Sequence, residues 1–283
     1  MTAVRPFTRP AWDPAWSRHV LVDVVYDAMG RYCAACERPL TVGASLYDPG
    51  TGAFLGGTAR EQPLAVLLPL CDGCAIATGG LPTPADVLHP ATDVTFTLTD
   101  DSPLRYEPRT VDVDGVPTRV VVAVGATAAG RATVRHYGLN GAADRAGAAP
   151  TRPRLLPDDG LLADDPRPDL RTRTWDLAEG FVPLLALEDP VAREAMVGRA
   201  RTALTHSGFW SVWATVLGAA FPGSDLLPRL LLPPARVAAA GRLAAAARPP
   251  GPALVGHAGA FPGTRTDWLP PGWLPALLGA VPR

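Results

Sequence analysis

Cys33-Ala34-Ala35-Cys36 and Cys71-Asp72-Gly73-Cys74 are the two stretches from which the fold of this chain is read, and they hold all four of its cysteines. Two residues between thiols let both sulfurs face one side of a tight turn, so each pair supplies half of a tetrahedral metal site. One such pair alone fits a redox dithiol equally well. Two pairs, 34 residues apart and with no cysteine left over, predict a shared four-thiolate shell of the kind that suits a structural zinc. Disulfides or unpaired core thiols are the alternative, and a reducing compartment disfavours the disulfides.

At 283 residues, with 47% hydrophobic and 19% charged residues, the chain can form one large or two small domains, each with a real core. Residues 1–14 lack the apolar run of a signal peptide, and no stretch is apolar enough to span a bilayer. A soluble, cytoplasmic protein without a membrane partner is therefore expected. The net charge of −1 hides a lengthwise split: nine acids against three Arg in 157–189, then nine Arg against three acids in 191–283. An acidic surface linker followed by a basic helical face explains this; the alternative is a basic half that meets nucleic acid or an acidic partner. The chain has no G-x-S-x-G elbow, phosphate-cradling loop or H-E-x-x-H helix, and no small-molecule substrate is evident.

Upstream of the first cysteine pair, Asp13 and Pro14 open a predicted helix with Trp16, Val20 and Val24 on one side, ended by Gly30. His19 and Asp23 on it read as a surface pair. Between the cysteine pairs, Tyr47-Asp48-Pro49-Gly50-Thr51-Gly52 predicts a turn flanked by short strands, and Leu64 to Leu70 an apolar strand. Cys74 to Thr78 starts a short helix that Gly79-Gly80 stops. Alternation predicts further strands around Val94 to Thr99, Tyr106 to Val113, Thr118 to Val124 and Arg131 to Tyr137, forming a small antiparallel sheet against the metal unit. The composition of Ala146 to Asp169 marks an exposed connector. Helices follow from Asp189-Pro190 to about Thr205, from Phe209 to Ala220 with Trp210, Trp213 and Leu217 filling a core, and from Ala235 to Ala247. Trp268 to Pro275 sets aromatics among prolines and reads as a segment that docks on its own domain or as a partner patch. The expected fold class is α+β: an N-terminal helix, a four-cysteine zinc-bearing ββα unit, a small antiparallel sheet and a helical C-terminal region. The expected domains are 1–145, a connector at 146–188, and 189–283.

Arg31-Tyr32-Cys33-Ala34-Ala35-Cys36-Glu37-Arg38-Pro39-Leu40 resembles the opening of zinc-bearing HNH endonucleases, where a helix runs into a G-x-Y-C-x-Y-C-E type knuckle. Leu67-Leu68-Pro69-Leu70-Cys71-Asp72-Gly73-Cys74 resembles their second knuckle. Leu88-His89-Pro90 with Asp93, and Tyr137-Gly138-Leu139-Asn140 with Arg145, resemble the tail of HNH proteins from bacterial defence-type operons. The resemblance implies that the ββα unit is of HNH type, with Cys33, Cys36, Cys71 and Cys74 as zinc ligands. It also implies a His between the knuckles that deprotonates the attacking water, and Asn or His near the second knuckle to hold a catalytic metal. This sequence departs from both. Residues 37–70 contain no His, Ala75 follows Cys74, and Asp48 is followed by Pro49. The expectation is an HNH-like zinc-binding protein without hydrolytic activity, serving as a nucleic-acid- or protein-binding component, and no catalytic residue is assigned. One alternative is an active endonuclease that uses Mg or Mn with a displaced base, for which His89 and His136 are the candidates. The other is an accessory protein of a bacterial defence or biosynthetic operon without nucleic-acid contact.

Overall fold

A backbone that turns Cys33 and Cys36 to one side must reverse within a few residues, and residues 31–40 do so. Tyr32 and Pro39 form an antiparallel bridge. Leu40 N–H donates to Arg31 O and Cys33 N–H to Arg38 O, both at 2.8 Å, while Glu37 N–H closes on Cys33 O at 2.9 Å. Glu37 adopts φ 68, the left-handed region that few non-glycine residues enter. The computed structural model that shows this loop describes residues 31–40, 45–54, 67–90, 93, 95, 96, 98, 100, 102–113, 116–141, 165–224 and 226–231. The helix expected before Gly30, the helix expected over 235–247 and the aromatic segment 268–275 lie outside the described residues.

Strand β1 (Ser45–Tyr47) pairs antiparallel with β2 (Leu68–Leu70), with Leu46 opposite Pro69. The turn expected after Tyr47 is present: Tyr47 bridges Phe54, and Gly52 takes φ 76 where a Cβ would collide with the backbone of Leu81. A hydrogen bond of 2.8 Å from Ala34 N–H to Pro69 O lays the first cysteine loop on β2. β2 then delivers Cys71, and helix α1 (Asp72–Thr78) begins beside it and stops at Gly79, whose φ of 59 closes the helix as the Gly-Gly pair predicts.

Strands β3 (Leu104–Val113) and β4 (Val116–Gly125) form a second antiparallel hairpin. The middle of β4, Val120 to Ala123, is buried on both faces. Val121 and Ala123 enter the main core, while Val120 and Val122 join Val111 in a smaller cluster. Its outer edge is covered by side chains: Thr172 Oγ1 accepts from Val121 N–H, and the Asn140 amide both accepts from and donates to Ala123, each at 2.8 Å. A free strand edge invites pairing with another chain, and these contacts close it. Pro108 lies opposite Val121, whose N–H leaves for Thr172, so the proline nitrogen faces the far edge where it breaks no ladder bond.

Of the four strands expected to form one sheet, those around 106–113 and 118–124 pair as the β3–β4 hairpin, and among the described residues β1 and β2 make a separate two-stranded sheet. Among the described residues of the expected strand at 94–99, Phe96 makes an isolated parallel bridge to Leu104. The segment from Arg131, read as a strand, belongs to helix α2 (Ala128–His136). Thr127 caps it, accepting from Gly130 N–H at 2.9 Å, and the alanines after it have high helix propensity. That combination outweighs a short alternation.

The stretch read as a connector contains helix α3 (Pro166–Leu185), capped by Asp165 and opened by Pro166. Its buried residues are Arg167, Pro168, Arg171, Thr174, Ala178 and Leu185. Half of these, Arg167, Arg171 and Thr174, are polar, so hydrophobic periodicity did not mark the stripe. Helix α4 (Pro190–Ser207), capped by Asp189, and helix α5 (Trp210–Ala220) match expectation, and Trp210, Trp213 and Leu217 are fully buried. Helix α6 (Leu226–Leu231) follows. α3 packs on β4, α4 and α5, and one hydrophobic core runs from Tyr32 through both hairpins to Leu230. Among the described residues, no helix is long and apolar enough to cross a membrane.

Candidate metal centre

Cys33 and Cys36 come from the first loop, Cys71 from the end of β2, and Cys74 from the first turn of α1. All four are buried, and their Sγ atoms lie within 4.8 Å of one another. Cys36 Sγ and Cys71 Sγ are 3.6 Å apart. Sulfurs at the corners of a tetrahedron with metal–sulfur bonds of about 2.3 Å stand about 3.8 Å apart. A disulfide requires a separation of about 2.0 Å, and the four thiols are free. The donor set therefore fits a metal ion that takes four sulfurs, and the disulfide alternative does not fit.

The thiols are electrostatically unequal. Burial pushes Cys36 and Cys74 well up from the ordinary thiol range. Cys71 is pulled down because it accepts hydrogen bonds from the other three sulfurs. A divalent cation binds thiolates, so its entry displaces the protons that these buried sulfurs hold.

Two buried guanidiniums lie on this side of the core, and one of them, Arg167, reaches the cluster. Arg167 is 0% exposed. Its Nη1 donates to Cys74 Sγ and to Tyr137 O, both at 3.0 Å. Its Nε and Nη2 grip the Asp165 carboxylate at 2.9 and 2.5 Å. Burial alone would lower the Arg167 pKa, but the Cys74 sulfur and Asp165 outweigh it and raise it. Gly73 makes room: a Cβ there would stand 2.8 Å from Arg167 Nε. Arg171 donates from Nη1 to Val121 O and Asn140 Oδ1, and from Nη2 to Leu139 O. Its guanidinium also lies over the rings of Tyr106 and Phe209 at 5.4 and 5.9 Å. Burial lowers its pKa from the usual arginine value.

The first loop reaches the helices as well. Glu37 is 1% exposed, and its carboxylate accepts from Ser211 N–H at 2.9 Å and Ser211 Oγ–H at 2.5 Å. The Glu37 carbonyl accepts from Phe209 N–H at 3.0 Å, and Tyr32 Oη donates to Thr205 O at 2.8 Å.

The other candidate residues are dispersed. Asp48 is buried, with its carboxylate accepting from Gly50 N–H at 2.8 Å and Thr51 Oγ1–H at 2.7 Å within its own turn. His89 is half-buried, and its N–H donates to Asp93 Oδ2 at 2.6 Å. His136 ends α2, with Nε2 3.4 Å from Thr83 Oγ1. Thr83 N–H in turn donates to Pro49 O at 2.7 Å, so His136 comes to the side of the Asp48 turn. Sequence reasoning missed Arg167, Arg171 and Asn140 as partners of this region. Asp165-Pro166 does carry a local helix-start signal for α3, but nothing local shows what Arg167 meets. No family model, curated protein or solved structure matches the chain.

Proposed function

We propose that the chain is a zinc-stabilised, HNH-like protein that has kept the endonuclease scaffold without its hydrolytic base, and that it acts by binding nucleic acid or a protein partner. The observation that carries this reading is the order of parts. A cysteine loop, a hairpin, a second cysteine pair and a short helix gather four thiols, while Asp48 between the pairs is spent on its own turn. With four thiolates around the ion, no coordination position remains for water, which is the arrangement of a structural zinc. Cys33, Cys36, Cys71 and Cys74 would hold it.

A cavity of about 340 Å³ supports an anionic partner. Arg38, Arg173 and His206 line it together with Leu170, Leu177 and Phe209, and no acidic residue is in the lining. Arg173 is paired with Asp169 at 2.8 Å, so Arg38 is the residue best placed to receive a phosphate. The test is retardation of DNA and RNA by the full chain across a salt series. Binding that weakens steeply with salt, and weakens further in Arg38→Ala, supports the nucleic-acid reading. Absence of retardation with both polymers removes that reading and leaves a protein partner.

The second reading, an active Mg- or Mn-dependent endonuclease with a displaced base, draws support from His136 standing beside the Asp48 turn. Incubation with plasmid and either cation decides it. Under the leading reading the plasmid stays intact; cleavage that His136→Ala abolishes would replace that reading with the second.

A further inference from the structure

A tetrathiolate centre holding a divalent ion carries two excess negative charges, and a buried site must offset them or weaken. Three features around Cys74 form a socket for one guanidinium. Asp165 takes two edges of Arg167 and fixes its plane. Tyr137 O and Cys74 Sγ share the remaining Nη1. Gly73, inside the second cysteine pair, leaves open the space that the guanidinium fills. The order carboxylate, guanidinium, thiolate parallels the outer-shell groups that orient and charge-balance ligands in metal sites generally. Packing alone would be met by an apolar side chain of similar length. It would not call for a buried cation anchored by a carboxylate and aimed at a sulfur.

We infer that Arg167 is a positioning and charge-compensating residue of the metal centre, donating to the Cys74 thiolate, so that tight metal binding requires α3 to be docked. This rests on the metal reading of the four cysteines. By linkage the dependence runs both ways: an ion in the site strengthens the docking of α3 by the factor by which docked α3 strengthens the ion.

The experiment compares the full chain with Arg167→Met and Arg167→Lys. Zinc affinity is measured by competition with a chelator. The charge-transfer band of the cobalt-loaded protein reports electron density on the thiolates, which a loss of packing alone does not move. Expected are a zinc affinity about 10–100-fold weaker in Arg167→Met, a smaller loss in Arg167→Lys, and a band shift in both. Should Arg167→Met fail to fold, Arg167→Lys decides by the same two readouts. Wild-type affinity and an unmoved band in a folded variant overturn the inference and leave Arg167 a packing residue, with the four-cysteine metal reading intact. A wild-type chain that binds neither zinc nor cobalt overturns both.

Discussion

Gly73 shows how little room the centre has. Any side chain there meets Arg167 Nε at 2.8 Å and Cζ at 3.0 Å, so the guanidinium must leave its socket or the helix start must shift. Gly73→Ala is expected to cost about 1–3 kcal/mol, the usual range for overpacking, read as a lower urea midpoint with the m-value unchanged. The neighbouring Asp72 is exposed, and Asp72→Ala should move the midpoint far less. Two other buried polar residues are matched to their partners as closely. Asp48 satisfies two donors of its own turn, and Asn140 matches both backbone groups of Ala123.

At the scale of the element, α5 has a start that its own sequence does not supply. Phe209 occupies the cap position with φ 49 and offers no side-chain acceptor. The carboxylate that takes the Ser211 N–H belongs to Glu37, 174 residues away. A negative group at a helix N-terminus is favourable both as a hydrogen-bond acceptor and against the helix dipole. Glu37→Ala is expected to cost about 1.5–3 kcal/mol, the value of a buried hydrogen bond to a charged group. Glu37→Gln, which keeps one acceptor, should cost less, and chemical denaturation of both variants measures the difference. β4 is likewise completed from outside its sequence, and Asn140→Ala should cost roughly 2 kcal/mol by opening two backbone groups. Equal stability of that variant and the wild type would show that water satisfies the β4 edge equally well.

For the whole molecule, the contacts of Arg167, Glu37 and Tyr32 mean that the cysteine loops and the helices share one core. Removing the metal should therefore be felt beyond the loops. Chelation is expected to lower the melting temperature and to speed hydrogen exchange in α3 and α5 as well as around the cysteines. Exchange that rises only in the loops would show that the helices hold without the ion. The pH dependence has a definite sign. Burial raises Cys36 and Cys74, so protons compete strongly for these sulfurs, and each must leave before the metal binds. Metal affinity, and the stability it confers, should fall as the pH is lowered. A zinc-sensitive dye followed through an acid titration measures the release.

The cysteine spacing, the Asp189-Pro190 helix start, the Gly79 stop and the apolar stripe of Trp210, Trp213 and Leu217 were legible because each is a local signal, carried by a cap, a turn or a period within a few residues. Helix α2 was misread because a short alternation competed with a cap and alanine propensity over the same residues. α3 was hidden within a connector because half of its buried stripe is polar, two arginines and a threonine, and becomes an interior face only when Val121, Asn140 and Cys74 are there to receive it. The chain by itself determined that four thiols come in two turns able to share an ion. Tertiary structure alone decided that a guanidinium 93 residues from Cys74 touches that sulfur. The reason is physical: propensity acts over one or two turns, whereas the partner of a buried charge is chosen by which surfaces dock, and docking leaves no trace in local sequence.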